Sequence, residues 1–446
     1  MTPAYDLIVR GGRVVNHAGR AVTDIAIKDE RIAAIGDLRA ASAAEEIDAA
    51  GLTVLPGVID TQVHFREPGN EHKEDLETGS RAAVMGGVTA VFEMPNTSPL
   101  TTTPAALEDK VTRATGRMHC DFAFYMGAMA GNADEMAALE ALPGCCGVKI
   151  FMGASTGDLL VPDDATLERV LAHGRRRVAI HCEDEPRMNQ REGERVPGDP
   201  ASHPVWRDEE TAFKATRRAV AMARKTGRRI HVLHVTTAEE MAFLADNKDI
   251  ASVETTPQHL TLAAETAYPA LGTWAQMNPP IRGAAHQAGL WAAVANGVVD
   301  VIGSDHAPHT REEKAKPYPQ SPSGMPGVQT LLPLLLDHMN AGRLTLERLV
   351  DLTSHGANRL FNLRDKGRLA VGYHGDLTVV DLSKQWTVTE DWLASRCGWS
   401  PFTGMDLTGK PVGTIVRGRR VMWEDELLAP SQGQAIRFQE TLAADR

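Results

Sequence analysis

The sequence predicts an α/β protein: a TIM-like (β/α)8 barrel with a small β-sandwich domain built from both chain termini. Three observations carry this. Short apolar runs recur through the middle of the chain, at 54–60, 88–94, 121–127, 147–152, 177–182, 229–235, 250–256 and 299–304. Amphipathic stretches separate them, as crossover helices separate parallel strands, and eight such strands close a barrel. Both ends of the chain read instead as strands and turns.

In order along the chain, the 5–10 run alternates, Gly11-Gly12 punctuates it, and Val14-Val15 resumes it. The 24–27 and 31–35 runs flank Asp29-Glu30, a hairpin pattern. At the far end 375–381 reads as a strand, and 413–418 leads into Val421-Met422. Neither terminal piece can bury a core alone. Residues 1–56 and 367–446 are therefore expected to pair as one composite β domain, leaving 57–366 for the barrel. The 210–225 stretch, rich in Ala, Arg and Lys, is the clearest intervening helix.

Bulk properties narrow the function classes. The 446 residues are 43% hydrophobic and 24% charged, ordinary globular values. A net charge of -11 with no basic stripe argues against a nucleic-acid partner. No uncharged apolar run reaches the ~18 residues of a membrane helix, and the N-terminus carries no signal-peptide pattern. Five cysteines with no framework spacing fit a reducing cytoplasm.

In a barrel of this kind the chemistry sits beyond the C-terminal strand ends. The reactive residues fall there. His64 follows the first run, Lys149 lies in the fourth, and His181 ends the fifth. His234 ends the sixth and Asp305 follows the last. Imidazole and carboxylate together suit zinc and its neighbours. Lys149 as an ammonium cannot ligate a cation, but burial favours the neutral amine. That amine can add carbon dioxide to become an anionic carbamate able to bridge two ions.

The motifs His64-Phe65-Arg66-Glu67-Pro68-Gly69, Met94-Pro95-Asn96-Thr97, Met277-Asn278-Pro279-Pro280, Asp305-His306-Ala307-Pro308-His309 and Gly324-Met325-Pro326-Gly327 resemble the amidohydrolase superfamily. Within it they resemble the dihydroorotase family, over nearly the whole length. The resemblance implies reversible cyclisation of N-carbamoyl-L-aspartate to L-dihydroorotate, a step of pyrimidine synthesis. It implies one or two Zn2+ per chain. His64, carboxylated Lys149 and Asp305 would hold the more buried ion; Lys149, His181 and His234 would hold the other. Asp305 would also be the catalytic proton carrier. Arg66, Asn96 and His309 would grip the substrate carboxylate, and Asn278 would contact its ring. The resemblance also implies a homo-oligomer, dimer or tetramer, and raises a transcarbamoylase partner.

One position departs from the family pattern. Gln62 stands where the first strand normally offers a second histidine, and an amide oxygen is a weaker zinc ligand than imidazole. Two rival functions follow. A hydantoinase or allantoinase would share the barrel but has no use for a carboxylate clamp. A non-catalytic scaffold subunit would account for Gln62. Among lesser features, Glu183 and Asp184 are candidates to orient ligands. His259 reads as structural or as a group that orients ligands, Cys182 as a small buried residue, and 310–326 as a long mouth loop that either closes over substrate or is a plain surface excursion.

Overall fold

The computed structural model describes residues 3–154 and 159–439. Gly57 divides the first apolar run between two sheets. Thr53–Pro56 lies antiparallel to Leu377–Thr387 and parallel to Tyr5–Asn16, whereas Val58–Val63 is the first barrel strand. The single strand expected over 54–60 is thus two strands. The reason is steric: a Cβ on Gly57 would meet Thr89 Oγ1 at 2.3 Å and Asp376 Cβ at 2.8 Å, so only glycine fits the crossing.

The remaining barrel strands are Val88–Glu93, Asp121–Gly127, Cys145–Phe151, Val178–His181, Ile230–Val232, Ala251–Thr255 and Val301–Ile302. Each pairs in parallel with its predecessor, in chain order. Every one is buried along its whole length, which is why the sequence shows continuous apolar runs rather than alternation. The last strand has two residues, against the longer 299–304 run. Closure comes just past it, where His306 bridges Val63 and accepts the His64 N–H at 2.7 Å.

Aromatic and aliphatic side chains fill the lower barrel. Phe92, Tyr125, Leu233 and Val301 pack with Phe361 and Phe438. Ala435 pairs with Phe122, near the start of its strand, so the 433–438 segment covers the end opposite the strand C-termini. The helix expected at 210–225 spans Glu209–Thr226. Asp208 accepts Thr211 N–H as its N-cap and Gly227, in the left-handed region, ends it. Thr211, Ala215, Ala219 and Ala223 form its buried stripe, at the four-residue spacing of one helix face.

The termini form a separate nine-stranded sheet. Its spatial order runs Glu426–Leu427, Arg419–Trp423, Asp406–Val416, Leu377–Thr387, Thr53–Pro56, Tyr5–Asn16, Gly19–Lys28, Arg31–Gly36, with Ala43–Asp48 beside Tyr5–Asn16. The expected hairpin turns at Asp29 and Glu30, both at positive φ, with Lys28 opposite Arg31. Ile25, Ile27, Val54, Leu377, Val379 and Ile415 form its own core. Among the described residues no helix is long and apolar enough to cross a membrane.

Candidate active site

Strand ends deliver the side chains. The ladder between the first two barrel strands slips between Asp60 and Val63, a bulge that re-aims the residues beyond it. Gln62 and His64 then line one narrow chamber with Arg66, Lys149, His181, His234, Asn278 and Asp305. Arg66, His234 and Asp305 all have positive φ, at 65°, 37° and 45°. Three non-glycine residues in that region at one mouth is strain of the kind that clusters at working sites.

Two pairings divide the chamber. On one side His181 Nδ1 lies 3.0 Å from His234 Nε2. Glu183 takes the other His181 nitrogen, Nε2, at 2.8 Å, which leaves the Nδ1 lone pair facing inward. Burial alone would raise the Glu183 pKa, but the Arg207 charge and the His181 hydrogen bond outweigh it and hold the carboxylate well below its usual range. Burial keeps both imidazoles neutral by lowering their pKa values. His234 Nδ1 is buried without a partner. Lys149 is also wholly buried, and desolvation brings its pKa down to about 7.

On the other side His64 spans Asn96 Oδ1, 2.7 Å from its Nδ1, and Asp305 Oδ1, 3.2 Å from its Nε2. Gln62 Nε2 donates to the same Asp305 oxygen at 3.0 Å, and Gln62 Oε1 is buried without a partner.

The donor set on the first side fits a cation. Neutral imidazoles aim lone pairs at one region there, beside a lysine whose neutral amine is within easy reach at neutral pH. Among the described residues no group of three or more His, Cys, Asp or Glu side chains is arranged to hold a metal ion. On the second side the Gln62 N–H occupies Asp305 Oδ1.

Next to the chamber lies a cavity of about 590 Å3, lined by Arg66, Lys73, Asn96, Thr97 and His309 among others. Arg66 Nε donates to Pro308 O at 3.1 Å, and its Nη2 lies 3.3 Å from His309 Nε2. Burial lowers the Arg66 pKa to about 10, so it stays charged, and lowers that of His309 to about 3, so it stays neutral. His309 Nε2 also faces Ser323 O at 3.0 Å, and its Nδ1 lies 3.2 Å from Lys73 Nζ. Lys73 in turn pairs with Glu313 at 3.1 Å. Asn278 Oδ1 lies 2.9 Å from His203 Nε2, which fixes the amide.

The structure therefore brings the sequence-predicted ligand and substrate residues to one mouth. Glu183 orients His181, whereas Asp184 instead caps the Glu185–Gln190 helix and pairs with Lys214 and Arg218. Lys73, Glu313 and His203 join the mouth without having been singled out in the sequence. Nothing in their spacing marks them: they come from a loop and two short helices that meet only in the fold. His259 is structural, held between Thr256 Oγ1 and Pro279 O. All five cysteines are buried and free. The mouth loop carries a short helix, Arg311–Lys314, which holds Glu313 over His309. A roomier cavity of about 680 Å3 lies elsewhere, between Gly116, Gly144 and the 432–437 segment, and touches none of these residues.

Comparison with known proteins agrees with this geometry. Residues 53–421 match the Amidohydrolase family model. The chain is 37% identical to a dihydroorotase of Halobacterium salinarum, over 93% of this chain and 97% of that one. It is 35% identical to an allantoinase of Solibacter usitatus, over 97% of each. Among solved structures it resembles an L-hydantoinase (dihydropyrimidinase) from Arthrobacter aurescens, with a TM-score of 0.91 and 31% identity over 97% of this chain and 99% of that one. A barrel whose strand ends gather His64, Lys149, His181, His234 and Asp305, and a family match that spans most of the length, place this chain in the amidohydrolase family.

Proposed function

We propose that the chain is a dihydroorotase, opening and closing the six-membered ring that joins L-dihydroorotate to N-carbamoyl-L-aspartate. The observation that carries this reading is the cluster of Arg66, Lys73 and His309 on the rim of the chamber. An uncharged ring has no need of two buried or half-buried cations there. A carboxylate does, because a guanidinium fork and an ammonium both favour a planar anion.

His181, His234 and Lys149 would hold the cation. When bound it supplies Lewis acidity, making water acidic at neutral pH and polarising the amide carbonyl. The protein's residues do the rest. Arg66, Lys73, Asn96 and His309 anchor the carboxylate, and Asn278, pinned by His203, orients the ring. Water adds to the ring amide carbon and the C–N bond breaks. Asp305 takes the proton from that water and delivers it to the leaving nitrogen. Ring closure runs the same proton path backward.

A second reading, a cyclic amidase for uncharged rings, is favoured by the likeness to a solved L-hydantoinase. One substitution separates the two. Arg66→Met should abolish dihydroorotate hydrolysis while sparing any hydantoin turnover. Equal losses on both substrates, or wild-type activity on hydantoin alone, would remove the dihydroorotase assignment.

A further inference from the structure

Gln62 distinguishes the two sides of the chamber. It is 1% exposed, and it donates from Nε2 to Asp305 Oδ1 at 3.0 Å. The same oxygen faces His64 Nε2 at 3.2 Å, and His64 Nδ1 faces Asn96 Oδ1 at 2.7 Å. Gln62 and Asp305 are thus joined by a hydrogen bond, and His64, whose neutral ring has one N–H, stands between the Asp305 and Asn96 oxygens. An amide nitrogen has no lone pair to give a metal. A cation seated between His64 Nε2 and Asp305 Oδ1 would meet the N–H protons of Gln62. Rotating the amide would present its oxygen instead, but would break the bond to Asp305. An ion there would thus meet N–H protons in one orientation and cost the Asp305 hydrogen bond in the other.

The opposite side has the reverse character. His181 Nδ1 and His234 Nε2 are 3.0 Å apart, with the His181 lone pair fixed inward by Glu183. His234 Nδ1 is left without a partner. Here the two nitrogens share one proton in a hydrogen bond, and with that proton moved to His234 Nδ1 both lone pairs can turn to a shared cation.

We infer that this chain is built for a single divalent cation, held by His181, His234 and Lys149, and that the Gln62 amide stands in for a second one by hydrogen bonding Asp305. The inference rests on the metal-assisted reading above but not on the identity of the substrate. It has a direct consequence for Asp305. Its Oδ1 is anchored by an amide N–H and an imidazole rather than by an ion, so the carboxylate keeps its place for proton transfer without a buried metal.

The test is metal content. The full-length wild type is saturated with zinc, desalted, and measured by mass spectrometry of the metal per chain. Gln62→His and Gln62→Ala are treated alike. We expect one zinc per chain for the wild type and for Gln62→Ala, and two for Gln62→His. Anomalous density at the zinc edge should place the wild-type ion beside His181 and His234. Two zincs in the wild type would overturn the inference, and so would one zinc in a folded Gln62→His. If that variant does not fold, the wild-type count and the anomalous position decide alone. No zinc in any variant would remove the metal-assisted reading itself. One zinc without dihydroorotate turnover would remove only the substrate assignment.

Discussion

Lys73 lies with its ammonium between two possible carboxylates. In the structure it holds Glu313 at 3.1 Å, and its Nζ reaches His309 Nδ1 at 3.2 Å. Glu313 occupies the place of an anion on the clamp: Lys73 and His309 both face it, and its pKa is held below the usual carboxylate range, first by the His309 hydrogen bond. A substrate carboxylate entering the neighbouring cavity would compete with it for the same ammonium. Lys73→Met keeps the apolar stem and removes the charge. A hydrogen bond to a charged group contributes about 1.5–3 kcal/mol. The expected result is a KM for dihydroorotate raised roughly ten- to a hundredfold, with kcat little changed and hydantoin unaffected. An unchanged KM would take Lys73 out of the clamp. The contrast with Arg66 shows what the linear sequence reveals at this scale. Arg66 lies two residues beyond His64, inside a motif. Lys73 and Glu313 are 240 positions apart, and neither has a neighbour that marks it. Spacing exposes ligands carried by the ends of regular strands. It does not expose ion pairs made between loops.

At the scale of elements, the barrel was legible because its strands are buried on both faces and so appear as unbroken apolar runs. The two misreadings have one cause. Apolar continuity records burial, not membership of a sheet. Thr53–Pro56 and Val58–Val63 are equally buried but belong to different sheets. The 299–304 run is buried but for half-buried Asp300, yet only Val301–Ile302 is strand, because the chain turns there to bring Ser304 N–H onto Asp60 and Asp305 into the chamber. Gly57 is the test of this account. Gly57→Ala drives a methyl group into Thr89 and Asp376 where the chain changes sheets. Overpacking of a tight site costs about 1–3 kcal/mol, so the variant should unfold at a distinctly lower temperature. Wild-type stability would mean that Thr89 and Asp376 move aside at little cost.

At the scale of the whole molecule, the barrel and the terminal sheet share a buried charge cluster centred on Asp121. This residue opens the third barrel strand and is fully buried. Its Oδ2 lies 2.6 Å from Lys366 Nζ and 2.8 Å from Arg417 Nε, and its Oδ1 accepts Gln434 N–H at 2.9 Å. Lys366 also reaches Asp376 at 2.6 Å, and Asp376 accepts the Arg417 N–H at 2.9 Å. One carboxylate therefore ties the barrel to the turn between Asp406–Val416 and Arg419–Trp423, to the segment that leads into the sheet, and to the returning C-terminal segment. Burial alone would lower the Lys366 pKa, but Asp121 and Asp376 outweigh that and hold it above the ordinary 10.5. A cation whose pKa is raised by folding gives stability that is fully present below its unfolded value and is lost as pH climbs through the folded one. The cluster thus supports the fold at neutral pH and fails in strong alkali. Asp121→Asn removes the central charge and leaves Lys366 with Asp376 and the Arg417 guanidinium with Glu30. Breaking a buried pair costs about 3–5 kcal/mol, and the surviving carboxylate argues for the lower end. Thermal melts at neutral pH should show a large drop, and melts against rising pH should show alkaline destabilisation starting earlier than in the wild type. A variant that melts with the wild type across that range would mean that the two sheets are joined by apolar packing, with the charges only filling the seam.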